Sequence, residues 1–352
     1  MNNENRYRLP AEWEPQDVIA LAWPHADTDW AYMLDEVKAC FLEIARAVTD
    51  FGERLLIVTP EPDAVAREIA ELDCSKITII ECPTNDTWAR DTFAITTYNG
   101  DGRAAINDFK FNGWGLKFAA DRDNLITRQL TIHTDLFVNA DYRNHLNFVL
   151  EGGSIESDGR GTLMTTSTCL LSPNRNGEWT QAEIDARLKD IFGARHVVWL
   201  DFGALQGDDT DSHIDTLARL CPDGTIVYVG TDDTEDAHYA ELKAMERELE
   251  AAVDADGNAF RLVRLPLPRA IFDEDGLRLP ATYANFLIGN GFVLMPTYGQ
   301  PDLDSEAAAT LQKVFPDRVV ACVDCNALIR QHGSLHCVTM QFPLNTLNID
   351  SL

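Results

Sequence analysis

Apolar residues recur at spacings of three and four over residues 34–51. They place Leu34, Val37, Phe41, Ile44, Val48 and Phe51 on one stripe, and Gly52 follows, which predicts an amphipathic helix ending at that glycine. Pro62 opens a second helical pattern with Val65, Ile69 and Leu72 inward. Thr180 and Glu183 form a capping box ahead of Ile184, Leu188 and Ile191, and Gly193 ends that helix. A fourth helix is predicted from near Thr234 through Leu242, Met245 and Leu249, and a fifth from Asp304 through Ala308 and Leu311, stopping before Pro316. Between them lie short β-type runs at 55–58, 77–80, 163–166, 196–200, 225–229, 292–295 and 318–323. Alternating strands and helices imply an α/β class. No glycine- or proline-rich linker divides the chain, so residues 1–352 read as one domain.

The order of these elements repeats. GTLMTTS (161–167), a helix, HVVWLDFGAL (196–205) and DSHID (211–215) are matched by GFVLMPTY (291–298), a helix, RVVACVDCNAL (318–328) and GSLHC (333–337). Asp201 then corresponds to Asp324, and Asp215 to Cys337. A weaker third copy runs from the Pro62 helix through the strand at 77–80 to NDTWARD (85–91), ending on Asp91. The offset is too long for one helix with its few strands and fits two units of roughly 60–70 residues, hence about five units in the chain. Units that cannot bury their own apolar faces pack round a common centre. Asp91, Asp215 and Cys337 are therefore expected to meet in one cavity.

Charge narrows the function. With 29 basic and 57 acidic residues the formal net charge is −28, and no basic run exists to grip phosphates, which argues against a nucleic-acid partner. A negative field attracts a cationic substrate, although acidic clusters such as Asp208-Asp209 and Asp232-Asp233 read first as solvated surface. No apolar stretch reaches the length of a membrane span and the N-terminal residues lack the apolar core of a signal peptide, so a cytoplasmic protein is expected. The eight scattered cysteines read as reduced thiols, and Cys322 and Cys325, a lone CxxC, as buried strand residues rather than zinc ligands.

Chemistry concentrates in Trp88-Ala-Arg-Asp91, in Leu150-Glu-Gly-Gly-Ser-Ile-Glu156, in Ser212-His-Ile-Asp215 and in His336-Cys337, which together offer a cysteine, histidine and acid constellation. These segments carry a resemblance that covers nearly the whole chain. Together with Leu9-Pro-Ala-Glu-Trp13, Trp23-Pro24, Leu217-Ala-Arg219, YANFLIGNGFVLMPTYGQ (283–300) and Val338-Thr-Met-Gln341, they resemble the agmatine deiminase and Porphyromonas-type peptidylarginine deiminase family of guanidine-modifying enzymes. The resemblance implies a five-bladed α/β propeller with pseudo-fivefold symmetry and a central active site, a small cationic guanidino substrate, and neither metal nor organic cofactor. It implies roles by motif position: Cys337 as nucleophile, His213 as acid and base, Glu151 holding that histidine, and Asp91 and Asp215 gripping the guanidinium. Trp88 reads equally as a stacking surface for the guanidinium and as a core aromatic. His336 is set aside, because adjacent residues on a strand face opposite ways.

Agmatine is the favoured substrate, with peptidylarginine next and a catalytically idle guanidinium- or polyamine-binding protein as the alternative of another class. The sequence leaves room for a homo-oligomer. Departures from the family pattern lie at Gln331-His-Gly-Ser-Leu335, where two glycines are replaced, at Ser212 and at Thr92-Phe-Ala94. They bear on the pocket for the far end of the substrate rather than on the five catalytic positions.

Overall fold

The computed structural model describes residues 7–348, so the first six residues of the N-terminal reading lie outside the described residues. Five small sheets follow one another along the chain. The first holds β1 (Gln16–Ala22), β2 (Leu55–Thr59) and β3 (Ile77–Glu81); the second holds β4 (Ile95–Tyr98), β5 (Ala104–Lys110) and β6 (Asp141–Val149). The third holds β7 (Ile155–Ser157), β8 (Thr162–Thr166) and β9 (His196–Leu200); the fourth holds β10 (Ala218–Cys221), β11 (Thr225–Gly230) and β12 (Arg261–Pro266). The fifth holds β13 (Leu287–Gly289), β14 (Phe292–Thr297) and β15 (Val319–Asp324), and the last strand, β16 (Thr339–Pro343), returns to the first sheet.

Each sheet obeys one rule. An antiparallel pair is followed by a parallel neighbour, as in β7–β8 and then β8–β9. The parallel step requires a crossover, and a helix supplies it: Leu34–Asp50, Ile126–His133, Gln181–Phe192, Tyr239–Ala251 and Pro301–Val314 in the five units. The architecture is a five-bladed α/β propeller. The matched segments of the sequence are blades three and five, so the offset between them spans two units. The weaker third copy aligns differently: its helix Pro62–Glu68 and strand β3 are an additional edge on the first blade.

Two helices start elsewhere than the pattern suggests. The fourth begins at Tyr239, because Asp233 and Asp236 turn their carboxylates onto the N–H groups of Glu235 and His238 and hold the preceding residues in local turns. The last begins at Pro301, where a missing N–H costs nothing, and Asp304 accepts from the N–H groups of Tyr298 and Gln300. Cys322, expected to be buried, is exposed on β15, while Cys325 beyond the strand is buried.

The ring closes where β16 pairs antiparallel with β1, from Leu21 opposite Thr339 to Gln16 opposite Pro343. Phe342 is fully buried there and packs its ring against Phe93 and Phe137 of the second unit. Closure therefore depends on a residue near the C-terminal end. Phe342→Ala is expected to destabilise the protein by about 3–5 kcal/mol in urea unfolding; a loss below about 1 kcal/mol, the scale of an ordinary surface change, would contradict this account of closure.

Candidate active site

Every connection from one blade to the next delivers a polar residue to the axis. Asp91 sits on the short helix Ala89–Thr92 between β3 and β4, and Glu151 between β6 and the turn Gly152–Ser154. His213 and Asp215 flank the start of the turn Ile214–Thr216 before β10, Asn285 lies between β12 and β13, and Cys337 lies just ahead of β16. Equivalent places in a pseudo-fivefold ring converge, and all six side chains are buried.

Asp215 Oδ2 lies 3.7 Å from the Cys337 sulfur and accepts a hydrogen bond from His336 Nδ1 at 2.7 Å. Its second oxygen, Oδ1, is buried without a partner. Asp91 is held from two sides, by the Gly153 N–H on Oδ1 and by Trp114 Nε1 on Oδ2, each at 2.9 Å. His213 Nδ1 stands 3.7 Å from Asp91 Oδ1, and among the described residues neither ring nitrogen meets an oxygen or nitrogen partner at hydrogen-bonding distance, the Cys169 thiol lying beside the ring. Asn285, which the sequence reading passed over, organises the nucleophile loop. Its Oδ1 accepts from the N–H of His336 at 2.9 Å and of Cys337 at 3.3 Å, with the sulfur at 3.4 Å.

Two expectations change. Glu151 does not hydrogen-bond His213; its carboxylate accepts from Arg175 Nε at 2.8 and 3.1 Å, although an oxygen of it remains within 4.8 Å of a ring nitrogen. His336, set aside on strand alternation, belongs to the site. Residues 335–338 form a turn, so alternation does not apply. Its Nε2 faces Glu12 Oε2 at 2.8 Å and Arg219 Nη2 at 3.0 Å, while Nδ1 faces Asp215 Oδ2 at 2.7 Å, so the ring bridges two carboxylates. Arg219 closes this buried network through Glu12 at 2.6 Å and Glu156 at 2.5 Å.

Trp114 reaches Asp91 from an unusual backbone. Gly113, Trp114, Gly115 and Leu116 have φ of +68°, +54°, +84° and +69°, a left-handed turn. Such a conformation costs roughly 1–2 kcal/mol per non-glycine residue, and its retention next to Asp91 fits strain kept where geometry matters. A narrow cleft opens above Asp91 and Cys337, walled by Trp88 and Trp114 with Asp29, Asp86 and Asp209 among its other lining residues. Trp88 is thus at once a packed aromatic, edge-on to Trp114, and a wall of the cleft. His213, Asp215 and Glu151 are buried beside Asp91 and Cys337 rather than on the lining of the cleft.

Electrostatics follow from burial and neighbouring charge. Burial, with Asp215 and Asp91 adding to it, holds the Cys337 thiol well above its ordinary value. Burial works against a charged His213, but Asp91, Cys169 and Glu151 outweigh it and push the imidazole well up. Asp91 is raised chiefly by burial, whereas for Asp215 the hydrogen bond and charge of His336 overcome burial and hold it low. These directions favour a neutral thiol beside a protonated imidazole.

Gly153 makes this packing possible. A Cβ there would fall 2.7 Å from His213 Nδ1, 2.9 Å from Asp91 Oδ1 and 3.1 Å from Asp215 Oδ2. Gly153→Ala is expected to lower kcat/KM by about a hundredfold or more while the protein stays folded, since displacing positioned groups by an ångström has that scale of effect; unchanged kinetics would contradict the geometry. Alkylation of Cys337 in the free protein is expected to keep accelerating with pH through about pH 9, because the raised thiol ionises late. A plateau at neutral pH would contradict it.

Comparisons with known proteins agree with this arrangement. The family model for Porphyromonas-type peptidyl-arginine deiminase matches residues 8–343. A solved structure from Porphyromonas gingivalis, provisionally named an arginine deiminase, is 50% identical, with a TM-score of 0.92 over 97% of this chain and 100% of that one. A C. jejuni agmatine deiminase solved with substrate bound is 35% identical, with a TM-score of 0.89 over 96% of each chain. Agmatine deiminase of Pseudomonas aeruginosa (strain LESB58) is 34% identical over 96% of this chain and 95% of its own. A match over nearly the full length, on the fold and the site described above, means that this chain belongs to the Porphyromonas-type peptidyl-arginine deiminase family.

Proposed function

We propose that this protein, acting as a single domain, hydrolyses agmatine to its ureido product and ammonia, with Cys337 as nucleophile. The observation that carries the reading is Asp215 Oδ1, a buried carboxylate oxygen with no partner beside a thiol. A buried acceptor left open costs free energy unless a donor arrives, and a guanidinium is a planar cation with a fork of N–H donors. Asp91, already fixed by Gly153 and Trp114, supplies acceptors from the other side.

Substrate and chemistry are then linked. A guanidinium seated between Asp91 and Asp215 cancels the field that holds the Cys337 thiol neutral, so binding itself favours the thiolate, and the thiol proton leaves to solvent. The sulfur attacks the guanidinium carbon and forms a tetrahedral adduct. His213 gives its proton to the departing nitrogen, ammonia leaves, and a covalent amidino-thioether remains on Cys337. The now neutral His213 takes a proton from water, the resulting hydroxide adds to the same carbon, and the carbon–sulfur bond breaks to release the urea and the thiol. Glu151, tied to Arg175, keeps negative charge close to the imidazolium.

The far end of the substrate meets Asp29, Asp86 and Asp209, and among the described residues no lysine or arginine lines the cleft. Burial, with Asp123 and Asp29 adding to it, raises Asp86 to about 7, and burial also leads for Asp209, at about 6. Both acids thus gain from an ammonium. Free arginine would bring a carboxylate to this wall, and the like charge works against it. The name of the 50% identical relative is the one observation that favours arginine. Among the described residues no helix is long and apolar enough to cross a membrane, and a small diffusible substrate fits a cytoplasmic setting.

Purified protein offered agmatine, arginine and a peptidylarginine is expected to prefer agmatine by about a hundredfold or more in kcat/KM, the scale on which a misplaced polar group is rejected. Equal turnover of arginine would overturn the substrate assignment, and no turnover of any would leave a binding protein. Asp91→Asn and Asp215→Asn each lose an acceptor facing a cation, worth on the order of 1.5–3 kcal/mol, about ten- to a hundred-fold or somewhat more in kcat/KM. The losses are expected not to add, because both acids align one planar group, and the exposed Asp233→Asn is expected to change little. Normal agmatine kinetics in both active-site variants would sink the proposed grip.

A further inference from the structure

We propose that Glu151, Cys169 and His213 form a binding site for a thiophilic divalent cation of the Zn²⁺ class, whose occupation withdraws His213 from proton transfer. One ligand atom from each residue lies within 4.8 Å of the other two, and all three residues are buried. They come from separate connections: Glu151 from the end of β6, Cys169 from the short helix Ser167–Leu170 after β8, and His213 from the loop before β10. Each is fixed by its own surroundings. Arg175 clamps Glu151, Thr166 Oγ1 ties the Cys169 helix to the Ser212 carbonyl at 2.7 Å, and Thr210 Oγ1 accepts from the His213 N–H at 3.0 Å. These contacts fix the Glu151 side chain and the backbone segments that carry Cys169 and His213.

An independent observation points to a missing ligand. His213 is 1% exposed, yet among the described residues its ring nitrogens meet no oxygen or nitrogen partner at hydrogen-bonding distance, and the Cys169 thiol is the group beside them. Buried polar atoms are normally satisfied, and each exception asks for an explanation. A second acid–histidine cluster, Glu12, Glu156 and His336, makes the contrast clear: there Arg219 already supplies the cation, with hydrogen bonds to both glutamates. Here Arg175 takes up part of Glu151 only, and among the described residues no arginine or lysine hydrogen-bonds the His213 ring.

The donor set selects the ion. A thiolate, an imidazole and a carboxylate suit Zn²⁺ and its relatives, whereas Mg²⁺ and Ca²⁺ want oxygen ligands. Binding displaces the Cys169 proton and one imidazolium proton of His213 to solvent, the ion takes the sulfur lone pair and the freed ring nitrogen, and no group is oxidised, so binding tightens as pH rises. Glu151 has lone pairs beyond those that Arg175 uses, so one carboxylate can hold both. Arg175 is a like charge nearby, but it is itself neutralised by Asp211 on its far side. The acidic lining of the cleft raises the local cation concentration. The inhibitory consequence rests on the role proposed for His213; the binding does not, and the two are measured separately.

The test uses the full chain, stripped with chelator and titrated with Co²⁺ as a spectroscopic probe. One Co²⁺ per chain is expected, with a thiolate-to-cobalt charge-transfer band that persists in Cys337→Ala and disappears in Cys169→Ala. Cys169→Ser, which keeps the volume should the alanine variant fail to fold, is expected to weaken binding by about a hundredfold or more, since even partners of metal ligands contribute ten- to a hundred-fold. Zn²⁺ is expected to displace the cobalt, to inhibit agmatine turnover reversibly, and to leave Cys337 open to alkylation. No cobalt binding, a band that survives in Cys169→Ala, or a band lost in Cys337→Ala would overturn the site. Binding through Cys169 with undiminished turnover would overturn the inhibitory role and the assignment of His213, and not the site.

Discussion

Two carboxylates buried beside a thiol have to be kept charged without being neutralised from the substrate side. Asp215 resolves this by leaning on His336, which leans on Glu12 and through it on Arg219 and Glu156, so that a fully buried ion network lies beneath the reaction centre. One oxygen of Asp215 is spent on that network and the other stays open. Asp91 is oriented instead by neutral donors, Trp114 and the Gly153 N–H, which fix its direction without cancelling its charge. Burying charges is costly unless they are paired and hydrogen-bonded. The five-bladed ring makes the arrangement affordable, because each inter-blade connection delivers one polar side chain to the same axis.

Much of this was legible in the chain. The match between the segments around Asp215 and Cys337 implied repeated units and a shared centre, and the propeller has both. Helices announced themselves through apolar stripes and, for Gln181–Phe192, through a capping box that the structure contains in full. Some of the strands that escaped notice have a physical reason. β5 buries Asn107 and Asp108 and β6 buries His145, so polar residues stand where alternation expects apolar ones. β1 is buried along its whole length, and a short apolar run of that kind has no period to detect.

The site shows the same division. Asp91, Glu151, His213, Asp215 and Cys337 could be named from motifs because reactive residue types at those positions draw attention. Asn285 could not, since an asparagine inside an apolar run carries no reactive signature, and only its approach to the Cys337 loop reveals what it holds. His336 was misjudged through a rule that is valid for strands, applied to a turn. Cys169 looked like any buried cysteine until the fold brought it to His213 and Glu151. Contacts between residues distant in sequence are what the one-dimensional pattern does not contain.

The central claim is that binding a guanidinium between two buried acids turns Cys337 from a neutral thiol into the attacking group. Rapid acid quench of the protein during agmatine turnover, followed by peptide mass analysis, tests it most directly. The account predicts a transient adduct with the mass of agmatine less ammonia on the peptide that contains Cys337, absent when putrescine replaces agmatine. The same adduct on Cys169 or any other cysteine, or turnover with no covalent species at any time, would contradict it.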